Sequence, residues 1–287
     1  MKTSRIAIPD GSLFLYEWGS PGDPPVLYWD GLGGSGLHAN EIAPVLAGEY
    51  GLRVIAPDAP GHGLSPVLPH DWYRPSLMAE VGANLLSELG LGSAAFVGFS
   101  WGGRVGCSFA ALFPDRTTSL CLLEGGYLPT PKIDGDDAAA LEACMVDARL
   151  ETEEDSFASW DAYFAFERES LRRWTPALAE VHRAVMREED GRVVPILDAE
   201  VLGAIKHGSR REPVTETYPF IAAADVPVLL VTAPGHGAEA TSAAIARFRS
   251  ALPAARVESM PDAIHDLVSY APREVGKLVG DFVAAHP

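Results

Sequence analysis

Basic residues, cysteines and long apolar runs are all scarce in this sequence. Its 22 lysines and arginines stand against 39 acidic residues, which leaves a formal charge of −17. A field of that sign repels phosphate backbones and anionic membrane surfaces, so neither nucleic acid nor a membrane is expected as a partner. No segment approaches about 18 consecutive apolar residues, and no apolar run follows the basic N-terminus. We therefore expect neither a membrane span nor a secretory signal.

The cysteines are too few and too scattered for a disulfide framework or a metal site. Cys107, Cys121 and Cys144 are odd in number and lack the spacing of metal ligands. Two of them lie in apolar stretches, which is typical of small core residues. We expect a cytoplasmic protein that uses no metal and no organic cofactor, and the sequence leaves a homodimer open.

Short apolar runs alternate with helical patterns along most of the chain. Residues 4–8 and 12–18 predict a β-hairpin around Pro9-Asp10-Gly11. Further strands are predicted at 26–29, 53–56, 94–98, 119–123, 226–231 and 256–259. Helices are predicted at 39–48, 75–89, 102–113, 238–251 and 272–285. This alternation is typical of an α/β fold in which a mostly parallel central sheet is flanked by helices on both faces.

The alternation stops in the middle of the chain. Residues 136–210 are rich in Ala, Glu and Arg and predict several helices and no strand. We interpret residues 127–215 as an inserted helical cap, and residues 1–126 and 216–287 as the core into which it is inserted.

Residues 95–103 contain the most informative motif. A strand is followed by Gly98-Phe99-Ser100-Trp101-Gly102 and then by a helix, which is the arrangement of a nucleophile elbow. Glycine is needed at 98 and 102 because a Cβ there would collide with the turn and the neighbouring strand. The turn exposes the Ser100 hydroxyl at the carboxyl end of the sheet, beside a helix N-terminus that favours negative charge. The motif predicts Ser100 as a nucleophile.

With three further motifs, the elbow resembles the α/β-hydrolase superfamily over nearly the whole chain. These motifs are Asp-Gly-Leu-Gly-Gly at 30–34, Asp-Ala-Pro-Gly-His-Gly-Leu-Ser at 58–65 and Ile-His-Asp at 264–266, in the order and spacing of the family. The resemblance implies the α/β-hydrolase fold and a serine hydrolase activity.

His265 is the expected general base. It follows the last predicted strand, and a serine that precedes the histidine is the chain order of this family. A serine hydroxyl needs a neighbouring base at neutral pH, and imidazole titrates near that pH. His62 belongs to a Pro-Gly-His-Gly turn and is expected to be structural. The remaining histidines have no supporting motif: His38, His70, His182, His207 and His286.

The acid of the triad departs from the usual family pattern. Most members carry an Asp after the strand predicted here at 226–231, but His236 stands near that place and the next carboxylate is Glu239. A second solution in the fold puts the acid after the strand that follows the elbow helix, where this chain has Glu124. We assign Ser100, Glu124 and His265 as the triad, and Glu239 stays the main alternative acid.

The unusual position of the acid makes the resemblance more specific than the superfamily as a whole. A Glu at that strand end and Trp-Asp-Gly-Leu-Gly at 29–33, in place of the usual His-Gly, resemble the zearalenone lactone hydrolases. Haloalkane dehalogenases can share the Glu position, but their nucleophile is an Asp. Ser100 excludes that chemistry.

Backbone N–H groups are expected to stabilise the oxyanion that forms during acyl transfer. One donor is predicted at Trp101, directly after the nucleophile, and the other at Gly31 or Leu32. Asp30 in the same loop is expected to hydrogen-bond within the loop or to touch the substrate.

An apolar substrate pocket is predicted above Ser100, where the cap meets the core. Tyr127 and Leu128 follow Glu124 directly, and Trp160 and Tyr163 belong to the aromatic cluster of the cap. We identify no arginine that would hold a charged substrate. The sequence thus predicts an esterase or lactonase that acts on a small hydrophobic ester or lactone. The alternatives are a C–C bond or thioester hydrolase with the same triad, or a ligand-binding receptor on this fold with little turnover.

Overall fold

The fold is built on strands whose order along the chain matches the predicted alternation. This computed structural model describes residues 1–9, 11–133, 138–171, 173–233 and 238–287, with the backbone alone at 238 and 239. The strands are β1 (Lys2–Ile8), β2 (Gly11–Trp18), β3 (Pro25–Trp29), β4 (Arg53–Pro57), β5 (Ala94–Phe99), β6 (Thr117–Leu123), β7 (Met186–Glu189), β8 (Arg192–Pro195), β9 (Val228–Thr232) and β10 (Arg256–Ser259).

Eight of these strands form one sheet in the spatial order β1-β2-β4-β3-β5-β6-β9-β10. The strand β2 is antiparallel to both β1 and β4. The other pairs of neighbours are parallel. The predicted mostly parallel sheet and the N-terminal hairpin are therefore confirmed, although Asp10 of its turn lies outside the described residues.

Helices cover both faces of the sheet. They are α1 (Ala43–Tyr50), α2 (Pro75–Glu88), α3 (Trp101–Leu112), α4 (Ala138–Glu154), α5 (Trp160–Ser170), α6 (Pro176–Arg183), α7 (Ala199–Arg211), α8 (Tyr218–Ala223), α9 (Ala238–Ala251), α10 (Leu267–Tyr270) and α11 (Pro272–Ala284). The helix predicted over 39–48 is divided: a 3-10 helix (Gly36–Glu41) precedes α1. Pro44 lies in the first turn of α1, where its missing N–H costs nothing, and so it favours a new helix start there.

Successive residues of the central strands pack on opposite faces of the sheet. Leu27 and Phe96 belong to the core shared with α2 and α3, whereas Tyr28 and Val97 belong to the core shared with α1 and α11. Because side chains alternate along a strand, a run that is apolar at every position needs cover on both faces. The continuous apolar runs in the sequence follow from this two-sided burial.

The segment between β6 and β9 contains α4 to α8 and a hairpin that the sequence analysis missed. The prediction of no strand in 136–210 was wrong, since β7 and β8 pair antiparallel there. Asp190 and Gly191 connect them with φ of 50° and 75°, which is the backbone of the tight turn that Asp-Gly favours. The cap limits of 127–215 stay a prediction. The structure places α4 to α7 and this hairpin inside them.

Glu212 and Arg173 are two of the residues whose polar contacts join this segment to the core. Glu212 accepts hydrogen bonds from the backbone N–H of Ser76 at 2.9 Å and from its hydroxyl at 2.8 Å. Arg173 forms an ion pair with the buried Glu41 and donates from Nε to the backbone oxygen of Ser269 at 3.1 Å. The second contact brings the segment against the loop that carries His265.

The cysteines and the lengths of the helices bear on two further expectations from the sequence. Cys107, Cys121 and Cys144 are buried and unpaired with one another. Across the described ranges, none of the helices combines the length and the apolar character that crossing a bilayer would need.

Candidate active site

The turn between β5 and α3 holds Ser100 in a strained backbone conformation. Its φ of 51° and ψ of −116° lie outside the regions that non-glycine residues ordinarily adopt. A Cβ at Gly98 would collide with the backbone oxygen of Gly102, and one at Gly102 with that of Trp29. The two glycines therefore permit the sharp turn, which presents the Ser100 side chain at the carboxyl edge of the sheet.

His265 lies beside this serine. It precedes α10 in the loop after β10, and its Nε2 atom lies 3.0 Å from Oγ of Ser100. The ring of Phe99 packs at 5.4 Å between centroids against the imidazole. A hydroxyl at this distance from an imidazole nitrogen can pass its proton to it.

Glu124 lies at the end of β6 and is buried. Only 2% of its surface is exposed, and its φ of 45° turns the chain away from the strand. Its carboxylate accepts a hydrogen bond from the Tyr127 hydroxyl at 2.6 Å and another from the backbone N–H of Ala233. These donors offset the cost of burying the charge. Glu124 is therefore a buried carboxylate with hydrogen-bond donors of its own.

His236 and the side chain of Glu239 lie outside the described residues. Glu124 lines one cavity together with Ser100 and His265.

The glycine-rich loop after β3 passes directly over the serine. A Cβ at Gly31 would lie 3.2 Å from Cβ of Ser100, and Leu32 lines the space on both sides of the hydroxyl. Trp101 is the first residue of α3, where a backbone N–H has no acceptor within its own helix. The structure thus brings all three predicted oxyanion-hole residues next to Ser100.

Asp30 belongs to a buried polar network that the sequence analysis did not find. It accepts hydrogen bonds from the Ser35 N–H at 2.9 Å and from the Tyr28 hydroxyl at 3.1 Å. Its carboxylate also lies 2.8 Å from Nδ1 of His38, whose Nε2 lies 3.2 Å from Asp266. No local motif marks His38, because Asp266 is distant in sequence.

The charges in this network stabilise one another. Burial alone lowers the pKa of His38, but the carboxylates of Asp30 and Asp266 outweigh that effect and raise the pKa well above its usual value. Burial likewise would raise the pKa of Asp266, but the His38 imidazolium and the Ser269 hydrogen bonds hold it far below its usual range. At neutral pH His38 is therefore a cation between two carboxylates.

Two cavities meet at Ser100 and His265. The larger, of about 450 Å³, is lined by Leu128 and by three cationic side chains, Arg104, Lys206 and Arg210. The smaller, of about 260 Å³, is lined by Asp30, Tyr163, Glu167 and Asp266. The hydroxyl thus lies between a basic space and an acidic one.

In the smaller cavity, Glu167 and His182 are close neighbours. Burial raises the pKa of Glu167 to about 7, and burial lowers the pKa of His182 to about 4. Their side chains lie 3.5 Å apart. His182 is therefore neutral at physiological pH, and the pKa of Glu167 lies close to physiological pH.

Comparison with known proteins agrees with this geometry. The family model for the alpha/beta hydrolase fold matches residues 24–162, which include Ser100 and Glu124. A thioesterase domain from the curacin biosynthetic pathway is 22% identical, with a TM-score of 0.76 over 97% of this chain and 99% of that one. An E-2-(acetamidomethylene)succinate hydrolase is 24% identical, with a TM-score of 0.77 over 98% of both chains. The chain therefore has the α/β-hydrolase fold.

Curated relatives share only part of this sequence. A serine hydrolase-like protein of Danio rerio is 33% identical over 133 residues, 45% of this chain and 40% of the relative. A 2-hydroxy-6-oxononadienedioate/2-hydroxy-6-oxononatrienedioate hydrolase of Burkholderia vietnamiensis is 35% identical over 135 residues, 44% of this chain and 45% of the relative. The chain therefore spans less than half the length of these relatives. None of the proteins named here is described as a zearalenone lactone hydrolase, and that resemblance stays a prediction.

The predicted pocket residues divide into two groups. Leu128 lines the larger cavity, and Asp30 and Tyr163 line the smaller one. Tyr127 and Trp160 line neither of these two cavities, and their assignment to the substrate pocket stays a prediction. Tyr127 is 1% exposed because its hydroxyl is turned to Glu124, and the Trp160 ring packs against Phe164 at 5.7 Å between centroids.

The sequence analysis also missed the arginines of the larger cavity. Arg104 stands four residues after Ser100 on α3, and residues at that spacing lie on one face of a helix. That spacing was the available signal. Arg210 belongs to the last turn of α7, and nothing in the local sequence connects it with Ser100.

Within the described ranges, no three His, Cys, Asp or Glu side chains are grouped so that they could hold an ion.

Proposed function

We propose that the protein is a serine hydrolase that cleaves a carboxylic ester or lactone through an acyl-enzyme intermediate. The observation that carries this proposal is the 3.0 Å separation of Ser100 Oγ and His265 Nε2 on a strained elbow. A hydroxyl that is exposed, paired with an imidazole and held at the carboxyl edge of the sheet has the arrangement needed for nucleophilic attack. The relatives, which include an esterase of Mycobacterium tuberculosis that is 35% identical over 114 residues, support a hydrolytic reaction.

In the proposed first half-reaction, Oγ of Ser100 attacks the carbonyl carbon while His265 takes the hydroxyl proton. The carbonyl oxygen becomes negatively charged and accepts hydrogen bonds from the N–H of Trp101 and from that of Gly31 or Leu32. The C–O bond to the alcohol then breaks, and the alkoxide leaves with the proton from His265. The acyl group stays bonded to Ser100.

In the second half-reaction, water replaces the alcohol. His265 takes a proton from the water, whose oxygen attacks the acyl carbon, and Ser100 recovers its proton as the acid leaves. We assign Glu124 as the group that orients His265 and stabilises its cationic form. Its burial and its two hydrogen-bond donors keep that carboxylate in one position, as such a role requires.

The proposal is tested by labelling with a serine-directed fluorophosphonate, followed by mapping of the modified peptide. We expect a single label at Ser100 that disappears in Ser100→Ala and is strongly slowed in Glu124→Gln. Glu239→Gln is the matched control, and it should label like the wild type. Slow labelling only in Glu239→Gln would move the acid to the later loop. An unlabelled wild type would favour a ligand-binding receptor.

A C–C bond hydrolase is the second candidate function. Two relatives named for cleavage of 2-hydroxy-6-oxo-dienoates are 35% and 36% identical to this chain over 135 and 98 residues. The same serine and histidine would serve that reaction. Product analysis with an ester panel and a 2-hydroxy-6-oxo-dienoate distinguishes the two functions. Both reactions release a carboxylic acid, but the leaving group is an alcohol in the ester hydrolase and a carbon fragment in the C–C hydrolase.

A further inference from the structure

The larger cavity beside Ser100 contains two guanidinium groups that no carboxylate of the described residues neutralises. Arg104 donates from its Nη atoms to the backbone oxygen of Leu128 at 2.8 Å and to Oγ1 of Thr130 at 3.4 Å, both neutral acceptors. Arg210 approaches Sγ of Cys144 at 4.0 Å, and its buried Nε finds no hydrogen-bond partner among the described residues. In the part of the chain that the structure describes, neither arginine forms an ion pair.

The other charges that line this cavity are already compensated. Lys206 forms an ion pair with Asp147 at 2.7 Å and a second one with Glu151. Glu124 accepts from Tyr127 and Ala233 at the opposite wall. Burial lowers the pKa of Arg104, but an arginine side chain keeps its proton in proteins, so its positive charge remains.

Both arginines are partly buried, and a cation that has lost part of its water is typically paired with a carboxylate or a phosphate. Three carboxylates and one cation, His38, line the smaller cavity on the other side of Ser100, so the net charge there is negative. An anionic group is thus favoured on one side of the nucleophile and disfavoured on the other. The protein as a whole is strongly acidic, with a formal charge of −17, so the attraction is local to this cavity.

We propose that the larger cavity is a carboxylate subsite, in which Arg104 and Arg210 bind a free carboxylate on one side of the scissile bond. The substrate class is then an anionic ester or lactone, in place of the neutral hydrophobic one that the sequence suggested. This inference rests on the proposed role of Ser100. The arginines act in binding and orientation, and the hydrolytic steps are unchanged.

The test compares anionic and neutral ligands of matched length on the full-length Ser100→Ala protein by calorimetry. Monophenyl glutarate is paired with phenyl pentanoate, which places the carboxylate on the acyl side. The pair 5-acetoxypentanoate and pentyl acetate places it on the alcohol side. We expect one of the two anionic ligands to bind roughly 10- to 100-fold more tightly than its neutral match, which is the range for a charge-assisted hydrogen bond.

Substitution then assigns the preference to the arginines. Arg104→Met and Arg210→Met should each remove most of the anionic-to-neutral ratio, and Arg104→Lys should retain part of it. Arg256→Met is the matched control, because Arg256 pairs with Glu258 on the edge strand, outside both cavities. If Arg104 has only a structural role, its substitution should weaken the binding of both ligands alike and leave the ratio of anionic to neutral affinity unchanged.

The outcomes separate this inference from the proposed function. Suppose that the wild type labels at Ser100 but neither anionic ligand binds more tightly than its neutral match. That result would overturn the carboxylate subsite and would not affect the proposed serine hydrolase activity. A ratio that survives in both methionine variants overturns the subsite as well. If the anionic ligand binds through the arginines but Ser100 is never labelled, the carboxylate subsite is supported and the proposed hydrolase activity is overturned.

Discussion

The imidazole of His38 lies 3.2 Å from the carboxylate of Asp266, the residue that directly follows the proposed base His265. On its other side the same ring lies 2.8 Å from Asp30, at the start of the proposed oxyanion loop. One buried cation therefore joins two loops that lie on either side of Ser100.

Removal of the cation should destabilise the fold. His38→Gln leaves Asp30 and Asp266 without their shared counter-charge, and loss of one partner from a buried pair typically costs about 3–5 kcal/mol. Asp266 is 28% exposed, so we expect a smaller loss, of about 1–3 kcal/mol. Urea unfolding measures this loss of unfolding free energy, and His70→Gln, at an exposed histidine, is the control. Equal stability of the two variants would contradict the role of the network.

The same network predicts how stability depends on pH. The raised pKa of His38 means that its contribution is complete below its ordinary value of about 6.5 and is lost as pH rises through the folded pKa. The depressed pKa of Asp266 means that its contribution is complete above about 4 and is lost as pH falls through the folded pKa. The difference in unfolding free energy between wild type and His38→Gln should therefore be largest between about pH 4 and 6.5. A difference that grows toward pH 9 would be the wrong sign.

Tyr127 should act as a positioning residue for Glu124. Tyr127→Phe removes the 2.6 Å hydrogen bond to the carboxylate without changing either cavity wall. We expect kcat to fall several-fold to roughly 30-fold with KM unchanged, and Glu124→Gln to lower kcat by roughly 10²- to 10⁴-fold. Steady-state kinetics on a 4-nitrophenyl ester measure both.

Tyr218→Phe is the control for that experiment. Tyr218 is also buried, but its hydroxyl donates to the backbone oxygen of Gly126 at 2.8 Å. If both phenylalanine variants lose the same activity, the loss is a general packing effect and Tyr127 has no special relation to Glu124.

The β7–β8 turn should require glycine for conformational reasons alone. A Cβ at Gly191 would meet no atom within 4 Å, yet its φ is 75°. Gly191→Ala should cost about 1 kcal/mol in unfolding free energy and leave kcat unchanged. Gly22→Ala, which adds a Cβ in equally open space without a positive φ, should be close to neutral. A loss of activity in Gly191→Ala would show that the hairpin influences the site.

Features that depend on local chemistry were readable from the sequence. The strands and the elbow follow from apolar runs and from glycines that the turn at Ser100 requires, so their limits differ from the prediction by only a few residues. The β7–β8 hairpin belongs to this class too, because Asp190-Gly191 between two short runs is a strong turn signal. It was missed because charged residues surround it and the exposed strands carry little apolar pattern.

Other features were decided by the tertiary structure, because they depend on residues that approach only when the sheet is complete. The sequence placed Glu124 at a strand end, but its burial depends on Tyr127 and on the neighbouring strand that brings Ala233 to it. Asp266 and His38 are separated by most of the chain, and no periodic pattern connects them. Arg104 shares a helix face with Ser100, whereas Arg210 reaches the same cavity only because α7 packs across it. The sequence by itself determined the chemistry of the nucleophile, and the packing of distant segments decided which charges surround it.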